Sequence, residues 1–239
     1  MQIKIQRDTK CESFKIENAI TLLSALYEIK QTQDATLTFA SGCKSGICGA
    51  CSVRVNGKEQ LACAYKVQDN DIIEPLNYHQ RQRDLKVDKT KPHQKLKKAA
   101  SYLHSYTPSI LTHQDELSLH IQSDCILCDS CYSACPVMAV NEEFLGPFAL
   151  TRAYRYAKDK RENDAKSIID TVVTNGIWDC TLCGECSAVC PKGIDSKMDI
   201  TNLRSLAVQH GHMDPSFATA SFGTPDFGGG FGFDPNGGF

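Results

Sequence analysis

The chain begins with alternation: Ile3 and Ile5 are apolar while Gln2 and Lys4 are polar, the period of two that a half-buried strand requires. In ITLLSALYEIK, Leu22, Leu26 and Ile29 then recur at helical spacing, and Thr21 stands where an N-cap belongs. CSVRVNGKEQLAC returns to alternation, Val53 and Val55 against Ser52 and Arg54, and its Asn56-Gly57 pair predicts a type I′ hairpin. Residues 1 to about 76 therefore predict a compact sheet with one helix, closed by a cysteine-bearing loop. From about residue 100 to 212 the pattern is helical, most clearly where Leu150, Ala153, Tyr154 and Ala157 follow Gly146-Pro147.

Two stretches break these patterns. From His79 to Lys98 eight Lys or Arg stand against Asp84 and Asp88, which reads as a linker or domain surface: a solvated charged face or a partner-docking patch. The last stretch, SFGTPDFGGGFGFDPNGGF, is rich in Gly and Phe and has no period, so it cannot form a packed core unaided and reads as disordered or partner-docking. The division that results is a first domain over 1–78, a basic linker over 79–100, a helical domain over 101–212 and a tail over 213–239.

Composition narrows the function. At 239 residues the chain can bury the cores of one large or two ordinary domains. A net charge of −2 offers no electrostatic case for nucleic acid or an anionic membrane surface. The N-terminus lacks the apolar stretch of a signal peptide, and nothing approaches the run of about 18 apolar residues that spans a bilayer. A soluble chain in a reducing compartment is the expectation, with any membrane attachment made through another subunit. Thirteen cysteines change the picture most: twelve fall in three tight groups and Cys11 stands alone, unlike the scattered pairs of a disulfide-stapled protein. Cys11 reads as a small buried hydrophobe, with a reactive thiol as the second reading.

The first group is Cys43, Cys48, Cys51 and Cys63, whose x4 and x2 spacing matches the plant-type pattern for a 2Fe–2S cluster. A loop wrapped around a cluster must aim main-chain N–H groups at sulfur, and Gly46 and Gly49 permit the left-handed turns and close approach this needs. Zinc is the competing ligand, but the spacing fits no common zinc motif. The second group is Cys125, Cys128, Cys131 and Cys135, followed by Pro136; the third is Cys180, Cys183, Cys186 and Cys190, followed by Pro191. Both read C-x2-C-x2-C-x3-C-P, an internal repeat of the bacterial two-cluster type in which the fourth cysteine of each run ligates the other cluster. One 4Fe–4S cluster would then use Cys125, Cys128, Cys131 and Cys190. A second would use Cys135, Cys180, Cys183 and Cys186, or would be 3Fe–4S if Cys183 is not a ligand. The seven His show no ligand spacing, no Ser/His/Asp set or phosphate loop is signalled, and no catalytic residue is expected in this chain.

With these motifs in this order, the chain resembles the iron–sulfur subunit of the succinate dehydrogenase/fumarate reductase family. The resemblance runs from about residue 1 to 205, through SGICGACSVRVNG, RDLKVD, CILCDSCYSACP, EEFLGPFALTRAYRYAKDKRE and CTLCGECSAVCPKGID. It implies an α+β chain, an N-terminal β-grasp 2Fe–2S ferredoxin-like domain followed by an all-α helical ferredoxin domain. It also implies a partner flavoprotein with FAD, where succinate and fumarate interconvert, and a relay of single electrons between that flavin and a quinone at the membrane. A different flavoprotein served by the same relay, including a thiol-linked fumarate reductase, and a free ferredoxin-like carrier are the competing readings.

Two departures mark this chain within the resemblance. Familiar members lack the cysteine found here as Cys183 and carry 3Fe–4S there, so the full set of four thiols predicts a second 4Fe–4S cluster. Familiar members also carry a quinone-pocket tryptophan just after the cysteine matching Cys135, where this chain has Met138, Ala139 and Val140, and a histidine where it has Thr181; its only tryptophan is Trp178. Both departures resemble the branch whose membrane partner is cysteine-rich and haem-free. The expected place is the membrane periphery on the cytoplasmic face, with export alongside a signal-bearing flavoprotein as the alternative.

Overall fold

The computed structural model describes residues 1–216, so the reading of the Gly/Phe-rich tail falls almost wholly outside the described residues. Strands β1 (Gln2–Gln6) and β2 (Cys11–Lys15) form an antiparallel hairpin with Ile3 opposite Phe14. β3 (Ser52–Val55) and β4 (Lys58–Leu61) form a second, turning through Asn56 at φ 50° and Gly57 at φ 82°, the left-handed pair that a type I′ turn demands. β5 (Ile72–Glu74) joins them, parallel to β1 and antiparallel to β3, which gives the order β2-β1-β5-β3-β4. Helix α1 (Leu22–Thr32) starts at a capping box between Thr21 and Ser24 and lays Leu22, Leu26 and Ile29 on Ile3, Ile5, Val53, Val55 and Ile73. Parallel central strands between two hairpins, crossed by one helix, make the β-grasp arrangement.

Cys11 corrects the sequence reading: it is exposed, not buried. It sits on β2, the edge of the sheet, where Phe14 alone is buried, and Cys11 shares the outward face with Ser13 and Lys15. The basic stretch 79–100 is folded as well. It carries strands β6 (Gln80–Arg83) and β7 (Lys86–Asp88) and helix α2 (Thr90–Lys98). Leu85 in the hairpin turn joins the first core, and the Arg7 guanidinium donates to Asp84 at 2.9 Å while also pairing with Glu12 and Asp34. On α2, Lys91 and Lys98 pair with Glu142 and Glu143 at the surface.

The second half is a set of helices: α3 (His113–Leu117), α4 (His120–Ser123), α5 (Ser130–Ser133), α6 (Pro147–Ala157), α7 (Ala165–Val172), α8 (Glu185–Ala188) and α9 (Ser196–Gln209). Pro147 opens α6, where its missing N–H costs nothing, and Asp164 and Asp195 cap α7 and α9. Phe144, Leu150, Ile168, Ile169, Ile200 and Leu203 form a second core. The two cores meet through a buried relay of hydrogen bonds: Ser133 Oγ donates to Glu59 Oε1 at 2.7 Å and accepts from the Asn77 N–H at 2.8 Å. Among the described residues no helix is long and apolar enough to cross a membrane.

One carboxyl is out of place in the helical core. Asp199 is buried beneath α4 and α6, accepting from Gln122 Nε2 at 2.9 Å on one oxygen only, and burial pushes its pKa up to about 6, against lowering contacts from Gln122, Thr151 and Lys158. A pKa raised on folding stabilises the folded state below the unfolded value and ceases to do so as pH rises through about 6. Thermal unfolding followed from pH 4 to pH 7 should therefore show this contribution falling away, within a total of roughly 3 kcal/mol, and Asp199→Asn flattening that fall. An unchanged slope in the variant would contradict this assignment.

Candidate metal centres

Three cysteines of the first group, Cys43, Cys48 and Cys51, lie on the loop between α1 and β3, and Cys63 follows β4. Lys44, Gly46 and Gly49 all turn that loop through left-handed dihedrals, at φ 60°, 69° and 68°, which curls the main chain around its own sulfurs. The N–H groups of Ser45, Ile47 and Cys48 donate to Cys43 Sγ at 3.4, 3.3 and 3.3 Å, and these three donors hold the Cys43 thiol down to about 6. Gly46 N–H reaches Cys63 Sγ at 3.2 Å, and Cys43 N–H reaches Cys48 Sγ at 3.3 Å. So many N–H groups aimed at sulfur fit a site built for anionic sulfur, as a 2Fe–2S cluster presents. Cys51 differs: burial pushes its thiol up to about 11, so it ionises only against a contacting cation such as iron. Gly42 completes the cradle, because a Cβ there would stand 2.7 Å from Cys48 Sγ.

The second and third groups repeat one backbone course. Leu127 and Asp129 are left-handed at φ 50° and 67°, and Leu182 and Gly184 repeat this at 54° and 88°. Each run then enters a four-residue helix, α5 or α8, and ends at a Cys-Pro step. The two short helices pack against each other. That contact carries the last cysteine of each run across to the other. Cys125, Cys128 and Cys131 line one cavity together with Cys190 and Pro191. Cys135 stands with Cys180, Cys183 and Cys186: burial first, and then these three neighbours, push the Cys186 thiol up to about 12. Burial likewise raises the thiols of Cys125, Cys131, Cys135 and Cys180. Among the described residues no three His, Cys, Asp or Glu side chains converge on a single ion. A cubane cluster, whose irons are each bound by one cysteine, needs no such single-ion site.

Several neighbours of these loops carry no signal in the sequence. Asp129, between Cys128 and Cys131, is buried and accepts from His79 Nε2 at 3.2 Å and His93 Nε2 at 3.1 Å. Burial alone would raise its pKa; the two histidines and Lys89 hold it below the ordinary carboxylate range. Lys89 Nζ donates to the carbonyls of Gly49 and Cys128, and Arg204 donates to the carbonyls of Ile177 and Cys180 while its guanidinium lies over the Trp178 ring. Met138 is buried and Val140 exposed beside Cys135.

A family model described as the 2Fe-2S iron-sulfur cluster binding domain matches residues 2–94, and one described as the 4Fe-4S dicluster domain matches residues 121–194. Fold and site thus define an iron–sulfur protein with a 2Fe–2S domain and a 4Fe–4S dicluster domain. The chain is 40% identical over 209 residues to the 8-methylmenaquinol:fumarate reductase iron-sulfur subunit of Wolinella succinogenes, covering 81% of this chain and 66% of that one. It is 36% identical over 200 residues to the fumarate reductase iron-sulfur subunit of Haemophilus influenzae, covering 75% and 78%. It belongs to the family of iron–sulfur subunits of fumarate reductase and succinate dehydrogenase. A solved structure of the Mycobacterium smegmatis Sdh1 complex in the apo form shares the fold, with a TM-score of 0.77 at 20% identity over 88% of this chain and 96% of that chain. The chain spans only 42% and 40% of the length of two further relatives it matches.

The cradle at Gly42 yields a direct test. Gly42→Ala should displace Cys48 Sγ and reduce 2Fe–2S loading, read as a loss of about two of roughly ten irons per chain. Full iron content and an unaltered visible spectrum in the variant would contradict the cradle.

Proposed function

We propose that this chain is the electron-transfer subunit of a succinate:quinone oxidoreductase or quinol:fumarate reductase, passing single electrons between a partner's FAD and the quinone side of a membrane. In this reading Cys43, Cys48, Cys51 and Cys63 hold the 2Fe–2S cluster. Cys125, Cys128, Cys131 and Cys190 hold one 4Fe–4S cluster, and Cys135, Cys180, Cys183 and Cys186 hold the second. The domain limits follow: a 2Fe–2S domain over 1–78, a basic connecting segment over 79–100 and a helical domain over 101–212. The observation that carries the reading is contiguity. The main chain at Gly49 lies against Cys128, and Cys190 of the last run lines the cavity of the second, so three thiol sets follow one another without a gap.

When bound, clusters of these kinds take up and release one electron at a time, at potentials set by hydrogen bonds to sulfur, nearby charge and exposure. The chain's own residues supply those controls. The N–H groups at Cys43, Cys48 and Cys63 favour added negative charge, and the burial of Cys128, Cys135 and Cys186 keeps water from the middle of the path. Cys43 and Cys48 are exposed at one end and Cys183 at the other, which leaves two places for partners. We assign the flavoprotein to the first end. To the second we assign a membrane-attachment subunit, cysteine-rich and haem-free, holding this chain at the membrane periphery on the cytoplasmic face.

Metal analysis and EPR of the anaerobically purified chain test the assignment. About ten irons are expected, with no 3Fe–4S signal in the oxidised wild type, whereas Cys183→Ser should lose about one iron and acquire that signal. A 3Fe–4S signal in intact, oxidised wild type would overturn the second 4Fe–4S set.

A further inference from the structure

Lys89 lies in the turn between β7 and α2, in a stretch whose composition reads as solvated basic surface. Its side chain turns inward instead. The ammonium donates to the Gly49 carbonyl at 3.2 Å and to the Cys128 carbonyl at 2.8 Å. Those carbonyls belong to different cysteine loops, on either side of the junction between the two cores. No side chain separates the loops there: a Cβ on Gly49 would stand 2.8 Å from Cys128 Cβ and 2.9 Å from its Cα. Charge-assisted hydrogen bonds are about twice as strong as neutral ones, and one cation shared by two carbonyls acts as a clamp.

The charges that face Lys89 are few. Asp129 Oδ2 stands 3.8 Å away and is itself engaged by His79 and His93. The neighbouring Lys91 turns to the surface and pairs with Glu142, while Asp88 accepts from the Thr90 N–H. Lys89 is thus a partly buried cation at the contact between the first and second thiol sets, where screening by solvent ions is weak.

Resting on the relay reading above, we infer that Lys89 is a positioning residue of that relay. It clamps the first two cysteine loops at contact distance, and it sets one positive charge between them that favours the reduced, more negative state of both neighbouring centres. Lys89 is not one of the twelve cysteines that would ligate the clusters.

The test is a redox titration of the full-length, anaerobically purified chain, followed by EPR and visible absorbance. Lys89→Met should lower the potentials of the 2Fe–2S centre and the Cys125–Cys131 centre by about a tenfold change in the reduction constant, ~59 mV for one electron, and leave the Cys180–Cys186 centre in place. Lys91→Met removes an equal charge from an exposed pair and should move no potential. Lys89→Gln keeps a donor but not the charge; it should lower the same two potentials, and it decides the matter if Lys89→Met loads less iron. Unmoved potentials in a loaded Lys89 variant, failure of both Lys89 variants to load iron, or an equal shift in Lys91→Met would overturn the inference. A wild-type chain without three redox centres would instead overturn the relay reading itself.

Discussion

The contact on which the rest of the molecule depends is the one between the bare main chain at Gly49 and Cys128. It joins two halves that each have their own core, and it is available only because Gly49 is left-handed and lacks a side chain. Everything around it supports that approach. Ile126 and Cys128 pack into the core of the first half although they belong to the second. Ser133, Glu59 and Asn77 share a buried hydrogen-bond relay across the same junction, and breaking such a relay strands polar groups away from water. The stretch from His79 to Lys98 is folded for the same reason, since its hairpin and helix cover the seam and carry His79, Lys89 and His93 to it.

The three cysteine loops solve one electrostatic problem in two ways. The first is largely exposed and surrounds its sulfurs with N–H donors, so that a thiolate at Cys43 is favoured before any metal arrives. The other two bury most of their thiols, and burial raises the pKa values of Cys125, Cys131, Cys135, Cys180 and Cys186, which disfavours thiolate there in the empty loops. Buried thiols crowded together are costly as anions unless iron neutralises them, so metal binding and the packing of α5 on α8 are coupled. Arg204, bound to the Cys180 carbonyl, places a cation at the last loop as Lys89 does at the junction.

Much of this was legible in the sequence because it is local. The periods of β1, α1 and α6, the Asn56-Gly57 turn and the twelve spaced cysteines all lie within short windows. What could not be read is long-range. Lys89 lies 39 residues from Cys128 and His93 lies 36 from Asp129, with no motif connecting them. No pattern in the sequence marks Cys11–Lys15 as the edge strand of a sheet, so the exposure of Cys11 was hidden. Charge density at 79–100 conceals a hairpin because the apolar residue it gives to the core, Leu85, is flanked by Asp84 and Lys86.

The central claim is that the first thiol set and the second lie side by side in one relay. The most direct measurement is the microwave power saturation of the reduced 2Fe–2S EPR signal in the full-length protein, before and after the neighbouring 4Fe–4S centre is reduced. The structure predicts that the 2Fe–2S signal relaxes markedly faster once its neighbour is paramagnetic. A signal that saturates identically in both states, as an isolated 2Fe–2S centre would, contradicts the account.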